Sequence, residues 1–210
     1  MISEIIKPIQ LKSGSHADVA TTGQGCFMNV IAYLNGEAQI TDNSECVCYV
    51  VRPIAVWLND YLKDDERHLL IPYIERAMGS KSEDKDEVLR RVKLVAEFSA
   101  KCFEYANASS TKFTEFAAKF ANAPDKAATK FTNASDNDAA EFAANFAKDA
   151  AKFAAEFAFK DATHREQLIA AAFDFLNDAL PKTVYQALPV VERAKELLLL
   201  NQENENEGLR

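Results

Sequence analysis

Glycine and proline are scarce in this chain of 210 residues, with six of each, so long disordered linkers are not expected. Long apolar runs are missing as well. No stretch reaches the roughly 18 uncharged residues that a membrane-crossing helix needs, so no transmembrane segment is expected. Met1 to Leu11 carries Glu4, Lys7 and Pro8 and lacks the apolar core of a secretory signal. Basic clusters are absent too. Lys and Arg number 24 against 32 Asp and Glu, for a formal net charge of -8. A surface that tracks a nucleic-acid backbone needs clustered cations, so none is expected here. An acidic balance suits solubility, a basic partner, or mimicry of a nucleic acid. The chain has no Walker loop, Rossmann fingerprint, His-Glu-x-x-His or Gly-x-Ser-x-Gly. Its four cysteines are Cys26, Cys46, Cys48 and Cys102. Without an export signal they are expected as reduced thiols in the cytoplasm of a bacterial host cell.

What the chain does have is enough apolar material for a core, 48% of its residues, in a length that suits one large or two small domains. Its clearest regularity is Phe120, Phe131, Phe142 and Phe153, each eleven residues from the next. Eleven residues span about three helical turns, so the rings stack along one helical face. Phe146 and Phe157 repeat that spacing, as do Ala143 and Ala154. The expectation is an all-α fold. It is a helical bundle with Ala/Phe-rich hendecad helices near 110–122, 125–133 and 138–160, and a small irregular N-terminal cap. Residues 1–105 form an N-terminal helical part, 106–200 an Ala/Phe-rich part packed on it, and 201–210 a frayed tail.

Within the first part, 1–23 reads as an irregular lead, with Ile5, Ile9 and Leu11 as one short edge strand beside Pro8. Cys26 to Asn35 reads as a helix stopped by Gly36. A second helix runs from about Val47 to Leu62, or begins near Pro53. Asp64 and Asp65 open a third, bent at Pro72, and the run Lys63 to Arg67 is its solvated start. A fourth spans about Glu87 to Ala106. Helices at about 163–180 and 183–200 close the chain.

Reactive residue types gather between Ser13 and Trp57. His16, Cys26, Cys46 and Cys48 could supply a tetrahedral zinc set, although Cys-x-Cys is tighter than the usual spacing. The plain alternative makes Cys26 and Cys48 small buried hydrophobes. For nucleophilic catalysis, Cys26 sits at a helix N-terminus, where the dipole lowers a thiol pKa. His16 would be its base, with Asp18 or Asp42 orienting the ring. The plain alternative gives His16 a turn contact and gives Asp42 a cap or loop role. Glu37 and Asp42 share one loop as a possible carboxylate pair. His68 and His164 have no partners by spacing.

The strings G-S-H-A-D, G-x-G-C-F-M-N-x-x-A-Y-L-N-G-E, T-D, C-V-C-Y-V-V and W-L-N-D resemble a family of uncharacterised actinobacterial and bacteriophage proteins. The similarity covers about Gly14 to Gly79. Two positions depart from the family pattern: Asn29 stands where Glu is expected, and Tyr49 where Pro is usual. A carboxylate role after Met28 is therefore not carried over, and the family brings no activity with it. The combined expectation is a non-enzymatic interaction protein of a bacterium or phage, in one form a phage-encoded inhibitor of a host factor. Its partner is another protein, or a second copy bound through the Ala/Phe helices. A metal-binding or hydrolytic module built on His16, Cys26, Glu37 and Asp42 is one alternative. A self-assembling structural protein is the other.

Overall fold

The structure, a computed structural model, describes residues 2–16, 18–82, 84–105, 162–182 and 188–208. The hendecad phenylalanines Phe120, Phe131, Phe142 and Phe153, and the three helices expected around them, lie outside these residues. Within them the fold is all-α, with no strand. The helices are α1 (Ile2–Ile6), α2 (Val19–Thr22), α3 (Phe27–Asn35), α4 (Arg52–Tyr61), α5 (Ile71–Ala77), α6 (Lys85–Tyr105), α7 (Ala162–Ala179) and α8 (Leu188–Gly208). A 3-10 turn, Arg67–Leu70, leads into α5.

Most boundaries follow from local chemistry. Cys26 is extended ahead of α3, and Gly36 ends that helix at φ 75°, in the left-handed region that glycine enters without a Cβ penalty. Pro53 falls in the first turn of α4, where a missing N–H costs no hydrogen bond. This settles the second helix on its later start. Pro72 also lies at the beginning of α5 rather than at a bend within a longer helix. Asp64 and Asp65 therefore do not open a helix.

Three further expectations are corrected. The lead contains helix instead of an edge strand, because Ile2 and Ile6 are one helical turn apart and both are buried. The charged run after α4 is not wholly solvated. Arg67 is buried, donating from Nε to the Asn59 carbonyl at 2.8 Å and pairing with Asp64. The polar tail continues α8 to Gly208, since Gln and Glu are good helix formers that need no apolar neighbour.

The chain divides into two units. The first contains Met1–Cys48, Leu58–Lys81 and Leu180–Arg210. In it α8 packs on α1, α2 and α3, and α5 packs on α1 and α3. Phe27, Met28, Ile31, Leu34, Leu58 and Ile74 are buried there. Polar contacts fix the packing at the helix ends. Arg193 Nε donates to the Leu34 carbonyl at 2.6 Å, at the C-terminus of α3, where a cation also meets the negative end of the helix dipole. Arg76 donates to the carbonyls of Pro181 and Leu180 at 3.1 and 3.2 Å.

The second unit contains Tyr49–Trp57 and, from Ser82–Ala179, the described helices α6 and α7. There α6 lies against α7. The Phe98 ring stands 6.4 Å from Trp57 and 5.7 Å from Phe175, tilted in both cases, within the range of favourable aromatic pairing. Arg90 donates to the Asp178 carbonyl at 2.8 Å while binding Glu87.

Two left-handed glycines separate backbone strain from crowding. Gly14 has φ 75° and open space around it, whereas a Cβ on Gly23 (φ 67°) would stand 2.5 Å from the Asn201 nitrogen of α8. Gly14→Ala should cost about 1 kcal/mol. Gly23→Ala adds a clash with helix backbone and should cost about 2–4 kcal/mol. Urea midpoints at unchanged slope measure both. Equal losses would contradict the close approach of α8.

Candidate functional site

The residues singled out from sequence meet at the start of α3. Cys26 is its N-cap, and its sulfur accepts the Asn29 backbone N–H at 3.4 Å, while the Asn29 side chain accepts the Cys26 N–H at 3.4 Å. This is a reciprocal capping box built from Cys and Asn. Asn29 is fully buried. Its Oδ1 also accepts the His16 backbone N–H at 2.7 Å, and its Nδ2 donates to Asp42 Oδ1 at 3.2 Å. The same Asp42 oxygen accepts the Cys26 thiol at 3.2 Å.

A second buried amide, Asn59 on α4, completes the arrangement. Its Oδ1 accepts the Phe27 N–H at 3.1 Å, and its Nδ2 donates to the Lys12 carbonyl at 2.9 Å. Lys12 N–H in turn donates to the Gly25 carbonyl at 2.9 Å. Next to Asn59, Asp60 Oδ1 accepts the Gly14 N–H at 2.8 Å. The lead segment, the start of α3, the 37–46 loop and the C-terminal end of α4 are thereby tied at one place.

The chemistry of this place differs from that of a thiol nucleophile. Burial pushes the Cys26 thiol up to about 12, with the Asp42 charge adding to the rise and the backbone N–H of Asn29 opposing it. The helix N-terminus does act in the expected direction, but desolvation outweighs it. The His16 ring turns to the Ser13 carbonyl, with Nε2 at 2.8 Å, and only its backbone joins the cluster. Asp18 stands ahead of α2 and makes no side-chain cap bond. Its carbonyl accepts Thr21 and Thr22 instead. His16, Asp18 and Cys26 therefore do not line up as base, orienter and nucleophile.

Glu37 and Asp42 hold different partners. Glu37 Oε1 collects Ser44 Oγ at 2.5 Å, Asn35 Nδ2 at 3.0 Å and the Glu45 N–H at 3.1 Å, which pins the loop. Cys46 lies beyond Ser44, with its sulfur 3.2 Å from Ser44 Oγ, and burial raises its thiol. Cys48 is buried, and its N–H donates to Ser80 Oγ at 2.9 Å. His16, Cys26, Cys46 and Cys48 are not gathered as a ligand set. Among the described residues no three His, Cys, Asp or Glu side chains stand close enough to share an ion. All four cysteines are unpaired.

Asn59 is the residue that sequence reasoning missed. Its only signal was its place in the W-L-N-D string. Asn29 belongs to the same reactive stretch and departs from an expected Glu, but its spacing gave no sign of a capping role. No family model, curated protein or solved structure matches the chain.

The raised Cys26 thiol sets a pH dependence. An ordinary thiol near 9.0 ionises in the unfolded chain while the folded one stays protonated to about 12. Its contribution to stability is therefore complete below about pH 9 and is lost as pH rises toward 12. Cys46 and Cys102 shift in the same direction. Urea midpoints should fall through this window, less steeply in Cys26→Ala. At pH 8, iodoacetamide should leave Cys26 of the folded chain unlabelled on the timescale that labels a free thiol. Rapid labelling of Cys26 would contradict the assignment.

Proposed function

We propose that this is a non-enzymatic protein-interaction protein of a bacterium or its phage, acting inside the host cell on a protein partner. One observation carries the reading. The most reactive side chains of the N-terminal constellation are consumed by the fold: the Cys26 thiol is buried, protonated and committed to Asp42, and the His16 ring is committed to Ser13. The net charge of -8 supports a basic partner surface. Four unpaired cysteines support a reducing compartment. The resemblance of residues 14–79 supports a bacterial or phage setting, with a host factor as partner and inhibition as the form the interaction takes.

The test is affinity capture from bacterial lysate on the immobilised full chain, at low and at moderate salt, followed by light scattering of the reconstituted pair. A stoichiometric complex that weakens as salt rises and survives Cys26→Ser is the expected result. Retention no better than blank resin at either salt, or a lysate activity abolished by Cys26→Ser, would overturn the reading.

A further inference from the structure

A cleft of about 400 Å³ opens between α1 and α5, away from the α3 cluster, with Ser3, Glu4, His68, Leu69, Pro72 and Glu75 on its lining. Its floor is acidic. Glu75 is 1% exposed, and its two carboxylate oxygens meet the Ser3 N–H at 2.8 Å and Ser3 Oγ at 3.4 Å. Those two bonds leave lone pairs on the carboxylate for a further donor. The wall is apolar. Leu69 is 44% exposed, one of only two large hydrophobic side chains so exposed among the described residues, and Pro72 stands beside the cleft on α5. His68 adds an acceptor. Its Nδ1 lies 2.6 Å from the Asp65 carbonyl. A carbonyl only accepts, so Nδ1 carries a proton, and in that tautomer Nε2 is the ring's acceptor.

Two cations also line the cleft, and Arg76 is already engaged. Arg76 binds the Pro181 and Leu180 carbonyls and sits 5.3 Å over the Tyr73 ring. Lys7 stands 4.0 Å from Glu4 at the surface. An incoming anion would have to draw Arg76 off its carbonyls and approach the Glu75 carboxylate, whereas an incoming ammonium would meet acceptors with spare lone pairs beside an apolar wall. We propose that the cleft receives a lysine-type side chain of a protein partner, an ammonium group on an unbranched aliphatic stem. The proposal rests on the protein-interaction reading and names the pocket that reading would use. The ammonium makes a charge-assisted bond to Glu75, and the stem lies along Leu69 and Pro72.

The probe is n-butylammonium, titrated into the isotope-labelled full chain and followed by amide chemical shifts, with butyrate and n-butanol as controls. Saturable shifts confined to Ser3, Leu69, Glu75 and their neighbours are expected for butylammonium and not for butyrate. His68→Ala and Leu69→Ser alter exposed side chains and keep the fold. Each should weaken binding by roughly threefold or more. Equal response to butyrate or butanol, no saturable shift, or unchanged binding by both variants would overturn the proposal. The captured partner separates this claim from the one it rests on. If the double variant retains the partner with full affinity, the cleft assignment falls and the interaction reading stands. If butylammonium binds as expected but no partner is captured, the cleft stands as an ammonium site, and the interaction reading falls together with the partner lysine.

Discussion

The first turn of a helix presents backbone N–H groups with no partner inside the helix, and at α3 two buried asparagine amides supply much of what is needed. Asn29 serves Cys26 from within the helix and reaches out to His16. Asn59 serves Phe27 from α4 and holds the Lys12 carbonyl with its other end. Each amide is a donor and an acceptor at once, so each can join two backbone segments that run in different directions. Loss of one such buried partner costs about 1–3 kcal/mol, because the groups left behind have no water to turn to. The packing of Phe27, Met28 and Ile31 into the first unit depends on this start being fixed.

The same requirement explains why a constellation that looks reactive in sequence is bound up in caps and turns in the structure. A cysteine at a helix N-terminus is a familiar nucleophile position, and the dipole favours its thiolate. Here the sulfur accepts one backbone N–H and its proton goes to Asp42. With the residue 3% exposed, desolvation decides the outcome. Glu37 shows a parallel division of labour, spending one oxygen on the loop that carries Asp42. His16, Cys26, Glu37 and Asp42 of this region hold turns and caps.

The parts legible in sequence are those with local causes. The α3 ends followed from apolar spacing and Gly36, and α6 was placed within two residues at its start because its stripe of Val88, Val95 and Phe98 is regular. Pro53 left two starts open for α4, and the later one holds. Other features depended on distant residues. Ile2 and Ile6 form a helical face only because α5 and α8 are there to cover it. Arg67 reads as a surface charge until the Asn59 carbonyl, eight residues earlier, is brought over it. His16 lies close to Cys26 in sequence, yet its ring is held by the Ser13 carbonyl. Periodicity encodes which face is buried. It does not encode which polar atom will be found there.

The amide protons of His16 and Phe27 test the account most directly, because both donate to side-chain acceptors at the edge of regular structure. Hydrogen exchange of the native full chain should protect these two as strongly as the interior amides of α3, with protection lost at His16 in Asn29→Ala and at Phe27 in Asn59→Ala. Exchange of His16 and Phe27 at the rate of an exposed loop, while α3 stays protected, would show that the buried asparagines do not hold the site together.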